Sequence, residues 1–286
     1  MIKSKIKLIV LLFLFFLESF FAQPKGYLII IGGGNRTDEI MTKILELSKA
    51  DSRVLIIPNA SSEPLITGER LKKEFQALGF KDVLVFYGDR EKANDEGFIK
   101  QFKNCNVVFF SGGDQNLLTR DLLNTSLLEL IKSIYKSGGV VSGTSAGAAV
   151  MSKIMITGDE YRNKDSSNPF NCIAAENIIT SEGFGFIENS IIDQHFIKRK
   201  RLNRLISVVL ENQDKLGIGI DESTAIVVYP DQTFEVIGES QVIVFDPTKS
   251  TQVTKNQSNK LSGSNILMHI LISGQKFDLK SKSVIK

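Results

Sequence analysis

Residues 138–151 read "GGVVSGTSAGAAVM": a glycine pair, two valines, then a run of very small side chains around one serine, Ser145. A strand that opens at Val140 and turns sharply into a helix of Ala and Gly accounts for this order. Only small side chains let a helix start close against the strand it follows. Four more runs have the same design: "GYLIIIGGG" (26–34), "SRVLIIPNAS" (52–61), "DVLVFYGD" (82–89) and "NVVFFSGGD" (106–114). Between them, apolar residues recur at helical spacing, as at Ile40, Ile44, Leu45 and Leu47, at Leu71, Phe75 and Leu78, and from Leu117 to Ile134. Continuously apolar strands alternating with amphipathic helices predict an α/β fold, a doubly wound, largely parallel sheet covered on both faces. Crossovers in such sheets are right-handed, and sites form beyond the carboxyl ends of the strands. "IGGGN", "PNASS", "YGD", "SGGDQ" and "GTSAG" all fall on that rim.

The second half is patterned differently. A polar loop, "GDEYRNKDSSNPFN" (158–171), precedes short strands expected around Ile173 and Ile178. A helix follows "DQHF", with Leu202, Leu205, Ile206 and Val209 on its inner face. "GIGID", "STAIVVYP", "TFEVIG" and "QVIVFD" read as strands joined by tight turns, a C-terminal antiparallel extension. Residues 247–265 are poor in large apolar side chains and read as an exposed loop, and "ILMHILI" (266–272) as the last strand. No internal repeat or linker divides residues 23–286, which are expected to form a single domain.

The N-terminus is not fold material. Three lysines in "MIKSKIK" precede the apolar run Leu8–Leu17, which Glu18 ends. A membrane span needs about 20 apolar residues, so residues 1–22 read as a secretory signal, with Ala22 last before cleavage. This predicts a secreted or periplasmic protein with no membrane attachment once the signal is removed. The signal carries three Lys and one Glu, so the formal charge of +3 falls to about +1 for the remainder. A positive field for nucleic acid is therefore not expected. Two cysteines, Cys105 and Cys172, could form one bridge in an oxidising compartment or stay as free thiols, and are too few for a cysteine metal site. No metal or cofactor is expected. Gly32-Gly33-Gly34 lacks the G-x-G-x-x-G spacing of a dinucleotide loop.

Gly143-Thr144-Ser145-Ala146-Gly147 matches G-x-S-x-G at a strand-to-helix junction, the setting in which that motif lifts a nucleophilic hydroxyl above a sheet. The amide of Ala146 would then face the developing oxyanion. By itself the pentapeptide also fits a βα turn that merely packs tightly. A nucleophilic serine needs a base, and the chain has two histidines. His269 sits inside an apolar strand, whereas His195 follows a strand in a polar setting and is the candidate. An orienting carboxylate at another strand end could be Asp221 or Glu222; strand alternation lets only one of them face the site.

Together, "SGGDQ", "GTSAGAAVM", "DQHF" with three spaced arginines, and "GIGIDE" closely resemble the cyanophycinase family, serine peptidases related to aspartyl dipeptidases and built on the class I glutamine amidotransferase-like sheet. The resemblance runs from about Gly32 to Val228. It implies Ser145 as nucleophile, His195 as base and Glu222 as orienting acid. It places the family's substrate-binding positions on Gln115, Asp193, Gln194, Arg199, Arg201 and Arg204. Gly113 would join Ala146 in the oxyanion hole. Arginines suit the carboxylates of a poly-aspartate substrate, and Asp193, or Asp159 and Glu160 by position, could receive its guanidinium. Arg201 and Arg204, three apart, are expected on one helix side. The implied activity is exopeptidase cleavage of cyanophycin to β-aspartyl-arginine, by a homodimer. A peptidase for other aspartyl or isoaspartyl peptides, or a secreted binding protein that has lost catalysis, are the alternatives. A glutamine amidotransferase would need a cysteine where Ser145 stands.

Overall fold

All five apolar runs of the first half form parallel strands. The structure is a computed structural model and describes residues 23–49, 51–162 and 169–285. The expected signal segment lies outside the described residues. Strands β1 (Tyr27–Ile31), β2 (Arg53–Ile57), β3 (Asp82–Val85), β4 (Val107–Phe110) and β5 (Val140–Thr144) pair in the order β1-β5-β4-β2-β3. The helices between them are α1 (Asp38–Leu47), α2 (Pro64–Ala77), the short α3 (Arg90–Asn94) and α4 (Glu96–Ile99), then α5 (Gln115–Leu122) and α6 (Ser126–Lys136). Side-chain oxygens start five of the six: Thr37 caps α1, Asp89 α3, Asp95 α4, Asp114 α5 and Thr125 α6, each accepting an otherwise orphan N–H.

Alternation along each strand divides the core in two, as a doubly wound sheet requires. Ile29, Ile31, Val54, Ile56 and Phe109 pack with Ile40 and Ile44 of α1 and with Leu71 and Phe75 of α2. Leu28, Ile30, Leu55, Ile57 and Phe110 face the other way, onto Leu118, Leu122, Leu127 and Ile131 of α5 and α6.

After β5 comes the four-residue α7 (Ala146–Ala149), then β6 (Ile154–Glu160), β7 (Ile178–Glu182), β8 (Ser190–Gln194), α8 (Leu202–Glu211), β9 (Leu216–Ile220), β10 (Thr224–Val228), β11 (Thr233–Gly238) and β12 (Gln241–Asp246). The hairpin β13 (Thr251–Lys255) and β14 (Leu261–Ser264) precedes β15 (Leu267–Ile272), β16 (Lys276–Asp278) and β17 (Ser283–Ile285). Strands β10, β11, β16 and β17 extend the main sheet antiparallel from β1, giving nine strands.

Several expectations of the second half are corrected. Strands β8, β9, β12 and β15 leave the main sheet for a second one, ordered β15-β12-β9-β8. Local pattern cannot report this, because both sheets draw on the same apolar runs. One face of the second sheet (Ile192, Ile220, Val242, Val244) joins the main core, and the other (Ile191, Ile243, Phe245) is covered by Leu205, Val208 and Val209 of α8. Leu202 is exposed rather than inward. Ile173 lies outside any strand, Gly158–Glu160 belongs to β6 rather than to a loop, and residues 247–265 contain a hairpin. The last strand is β17, not β15. Cys105 and Cys172 are free thiols. Among the described residues, no helix is long and apolar enough to cross a membrane.

Candidate active site

The site is assembled on the end of β1. Three consecutive carbonyls there each accept one amide from a different segment: Ile31 O from Ser145 N (3.0 Å), Gly32 O from His195 N (2.7 Å) and Gly33 O from Ser223 N (2.8 Å). The segments after β5, β8 and β9 are thereby fixed side by side, although they are far apart in the chain.

Ser145 adopts φ 54°, ψ −107°, a left-handed conformation costly for a residue with a Cβ and common where strain is held at functional positions. Small neighbours make the bend possible. A Cβ on Gly143 would lie 2.4 Å from Gly147 O, and one on Gly147 would lie 2.5 Å from Phe110 O, so α7 seats directly on β5 and β4. The half-buried hydroxyl donates to His195 Nε2 at 2.8 Å. His195 Nδ1–H donates to Glu222 Oε1 at 2.6 Å, which sets the tautomer that leaves Nε2 free to accept. The imidazole side chain is only 8% exposed and that of Glu222 28%. Burial holds the His195 pKa below 6.5; the hydrogen bond it donates to Glu222 opposes this, and the charges of Arg199 and Arg201 reinforce it. The ring is therefore neutral at pH 7, as a base for a serine hydroxyl must be. The backbone N–H groups of Gly113 and Ala146 make no hydrogen bond among the described residues. A Cβ on Gly112 would come within 3.4 Å of Ser145 Cβ, so the Gly112-Gly113 backbone borders the hydroxyl. A hydroxyl, a neutral imidazole, a carboxylate behind it and two unused amides can carry out acyl transfer.

The other expected residues divide into two groups. Arg199 is exposed beside the imidazole. Arg201 is mostly buried, and its Nη1 donates to the carbonyl of Gln194 at 2.7 Å and to Gln194 Oε1. Burial, with Arg204 nearby, lowers the Arg201 guanidinium to about 10, so it remains charged at neutral pH. Asp193 and Arg204, however, are turned inward. Arg204 Nε donates to Asp193 Oδ2 at 2.7 Å and Nη2 to Oδ1, with side-chain exposures of 1% and 0%. The Arg204 guanidinium also lies over the Phe170 ring, 5.0 Å from its centroid. Neither side chain has surface with which to grip a substrate, because each is already engaged by the other. Arg201 is not on a shared helix side with Arg204; it stands before the first residue of α8, and both reach back to the end of β8. Gln115 Nε2 donates to the carbonyls of Ile156 (2.9 Å) and Thr157 (2.5 Å), tying α5 to β6. Glu160 is buried, accepting from Phe170 N and Asn177 Nδ2, and cannot receive a guanidinium; Asp159 is exposed. His269 packs against the Phe277 ring and takes no part in this cluster.

Residues 28–237 match the model of peptidase family S51. The chain belongs to peptidase family S51. This S51 peptidase is 35% identical over 236 residues to a cyanophycinase of Geminocystis herdmanii, covering 81% of this chain and 84% of that one. It is 34% identical over 271 residues to a cyanophycinase of Thermosynechococcus vestitus, covering 91% and 81%. Its fold is similar to the crystal structure of a peptidase from an acI-B1 Actinobacterium, at TM-score 0.64 and 24% identity, over 91% of this chain and 99% of that one. Family membership makes it a serine-type peptidase.

Sequence reasoning missed the part played by the glycines after β1. A Cβ on Gly33 would lie 2.3 Å from His195 Cε1, so the imidazole rests against bare backbone. The signal was present in "GGGN" at a strand end, which is legible as part of the rim but not as a seat for the histidine.

Proposed function

We propose that this S51 peptidase hydrolyses cyanophycin, a poly-aspartate bearing arginine on each β-carboxyl, releasing β-aspartyl-arginine dipeptides. The observation that carries the reading is the chain of contacts from Ser145 Oγ to His195 Nε2 (2.8 Å) and from His195 Nδ1 to Glu222 (2.6 Å), in a chain about 35% identical to cyanophycinases. In the proposed reaction, Ser145 Oγ attacks the carbonyl of an α-peptide bond after a β-linked aspartyl residue while its proton passes to His195 Nε2. The N–H groups of Gly113 and Ala146 hold the oxyanion, and Glu222 stabilises the imidazolium. His195 returns the proton to the leaving amine. Water then takes the same path to resolve the acyl-enzyme on Ser145.

Arg199 and Arg201 are assigned to substrate carboxylates. Gln115, Asp193, Gln194 and Arg204 support the walls of the site from behind. We further take the enzyme to be exported, which the lysine-flanked apolar run supports, and to act as a homodimer on polymer released by other cells. The test is incubation of purified protein with purified cyanophycin and mass analysis of the products. Dipeptides of the β-aspartyl-arginine mass, absent with Ser145→Ala, are expected. Intact polymer alongside cleaved Asp-X or isoaspartyl dipeptides would transfer the enzyme to those substrates instead.

A further inference from the structure

The acidic pair at the end of β9 serves one histidine from two sides. Glu222 holds the His195 ring. Asp221, buried at 7% exposure, points the other way, and its carboxylate is fully engaged. Oδ1 accepts the backbone N–H groups of Ile197 (3.1 Å) and Lys198 (2.8 Å), and Oδ2 accepts the Ser240 hydroxyl (2.7 Å). Among the described residues Asp221 has no ion-pair partner, so its bonding is directed at the backbone immediately past the imidazole.

That backbone needs an anchor. His195 sits at φ +49° and Lys200 at φ +53°, two left-handed residues in one short turn between β8 and α8. Non-glycine residues persist there only when neighbours over-determine them. His195 N, Phe196 N and Arg199 N find carbonyls, at Gly32, Ile220 and His195 itself. The amides of 197 and 198 find only Asp221. Without it these two backbone donors, on the exposed residues Ile197 and Lys198, lose the buried carboxylate that ties them to β9, and the turn is free to relax toward an ordinary φ. The ring is carried with it.

We propose that Asp221 is a positioning residue that holds the imidazole of His195 through its backbone. The proposal rests on the catalytic reading of Ser145, His195 and Glu222, and its test separates the two. Asp221→Ala is expected to lower kcat about 10- to 100-fold, the scale for an angstrom-sized displacement, with KM within about twofold. Asp221→Asn can keep all three hydrogen bonds, its Oδ1 toward the amides and its Nδ2 toward Ser240, and should restore most of kcat.

The independent readout is the low-field proton of His195 Nδ1–H in protein labelled at histidine. The chain has two histidines, so His269 serves as internal reference. The signal should weaken or shift in Asp221→Ala and return in Asp221→Asn. An unaltered signal and kcat in folded Asp221→Ala would overturn the proposal, as would equal losses in the Ala and Asn variants. Should Asp221→Ala not fold, Asp221→Asn decides: kcat near wild type supports the role, and a fall as large as that of Glu222→Gln refutes it. An enzyme inactive on every peptide tested would count against the catalytic reading, while the proton signal would still report on Asp221.

Discussion

Gly33→Ala gives the sharpest test of the site's geometry. The added methyl would lie 2.3 Å from Cε1, 2.4 Å from Nε2 and 2.9 Å from Nδ1 of His195, where ordinary contact begins at 3.4 Å. The ring must therefore retreat by about 1 Å, which stretches the 2.8 Å Ser145 contact beyond hydrogen-bond reach. Misplacement of that size costs about 100-fold in rate, or about 2.7 kcal/mol of transition-state stabilisation. Gly33 also has φ +108°, which adds conformational strain of about 1–3 kcal/mol to the folded state. The control is Gly79→Ala, which has φ +115° but nothing within 4 Å of the new methyl, and so suffers strain without collision. Both variants should melt earlier in a thermal scan. Only Gly33→Ala should lose kcat/KM for dipeptide release and react slowly with a fluorophosphonate at Ser145. Wild-type turnover by folded Gly33→Ala would refute the placement of His195 against this backbone.

Ser145→Ala should abolish product release with little change in melting temperature, since the strained φ of +54° stays; residual turnover above about a thousandth of wild type would exclude Ser145 as nucleophile. With the His195 pKa held below 6.5, chiefly by burial, kcat/KM should rise along a single limb below pH 6.5 and be level at pH 7–8. Arg199→Gln, which removes a charge that lowers this pKa, should move the limb to higher pH. The same depression makes a stability contribution that is complete above pH 6.5 and lost as pH falls through the folded value, measurable by urea titration at several pH values. Breaking the buried pair with Arg204→Ala should cost about 3–5 kcal/mol in urea unfolding; a loss under about 1 kcal/mol would mean the pair is not the internal brace described.

The parallel half of the fold was legible because burial on both faces writes itself as unbroken apolar runs: "VLII" and "VVFF" have no other economical home. The hydroxyl at 145 was legible for a related reason, since clearance for α7 demands Gly and Ala at fixed offsets. What the sequence concealed was the division of the later strands between two sheets. Strands in "GIGID", "STAIVVYP" and "QVIVFD" carry similar patterns, yet β10 joins β1 while β9 and β12 pair with each other. Arginine in "KRKRLNR" was equally opaque. Composition cannot distinguish Arg199, exposed on the rim, from Arg204, whose charge is neutralised inside by Asp193 eleven positions earlier. Residue pattern alone left Asp221 and Glu222 open for the same reason, and only the family resemblance singled out Glu222. Alternation showed that they diverge, and only the turn after His195 shows that both attend to it.

The three carbonyls at the end of β1 have a further consequence, for when this peptidase can begin to cut. The hydroxyl stands at the end of β5, while imidazole and carboxylate stand on segments that come later in the chain, after β8 and β9. Until that later portion docks, the serine is an ordinary alcohol. On the proposed mechanism, competence to cut is withheld until the segments carrying His195 and Glu222 have docked on the end of β1.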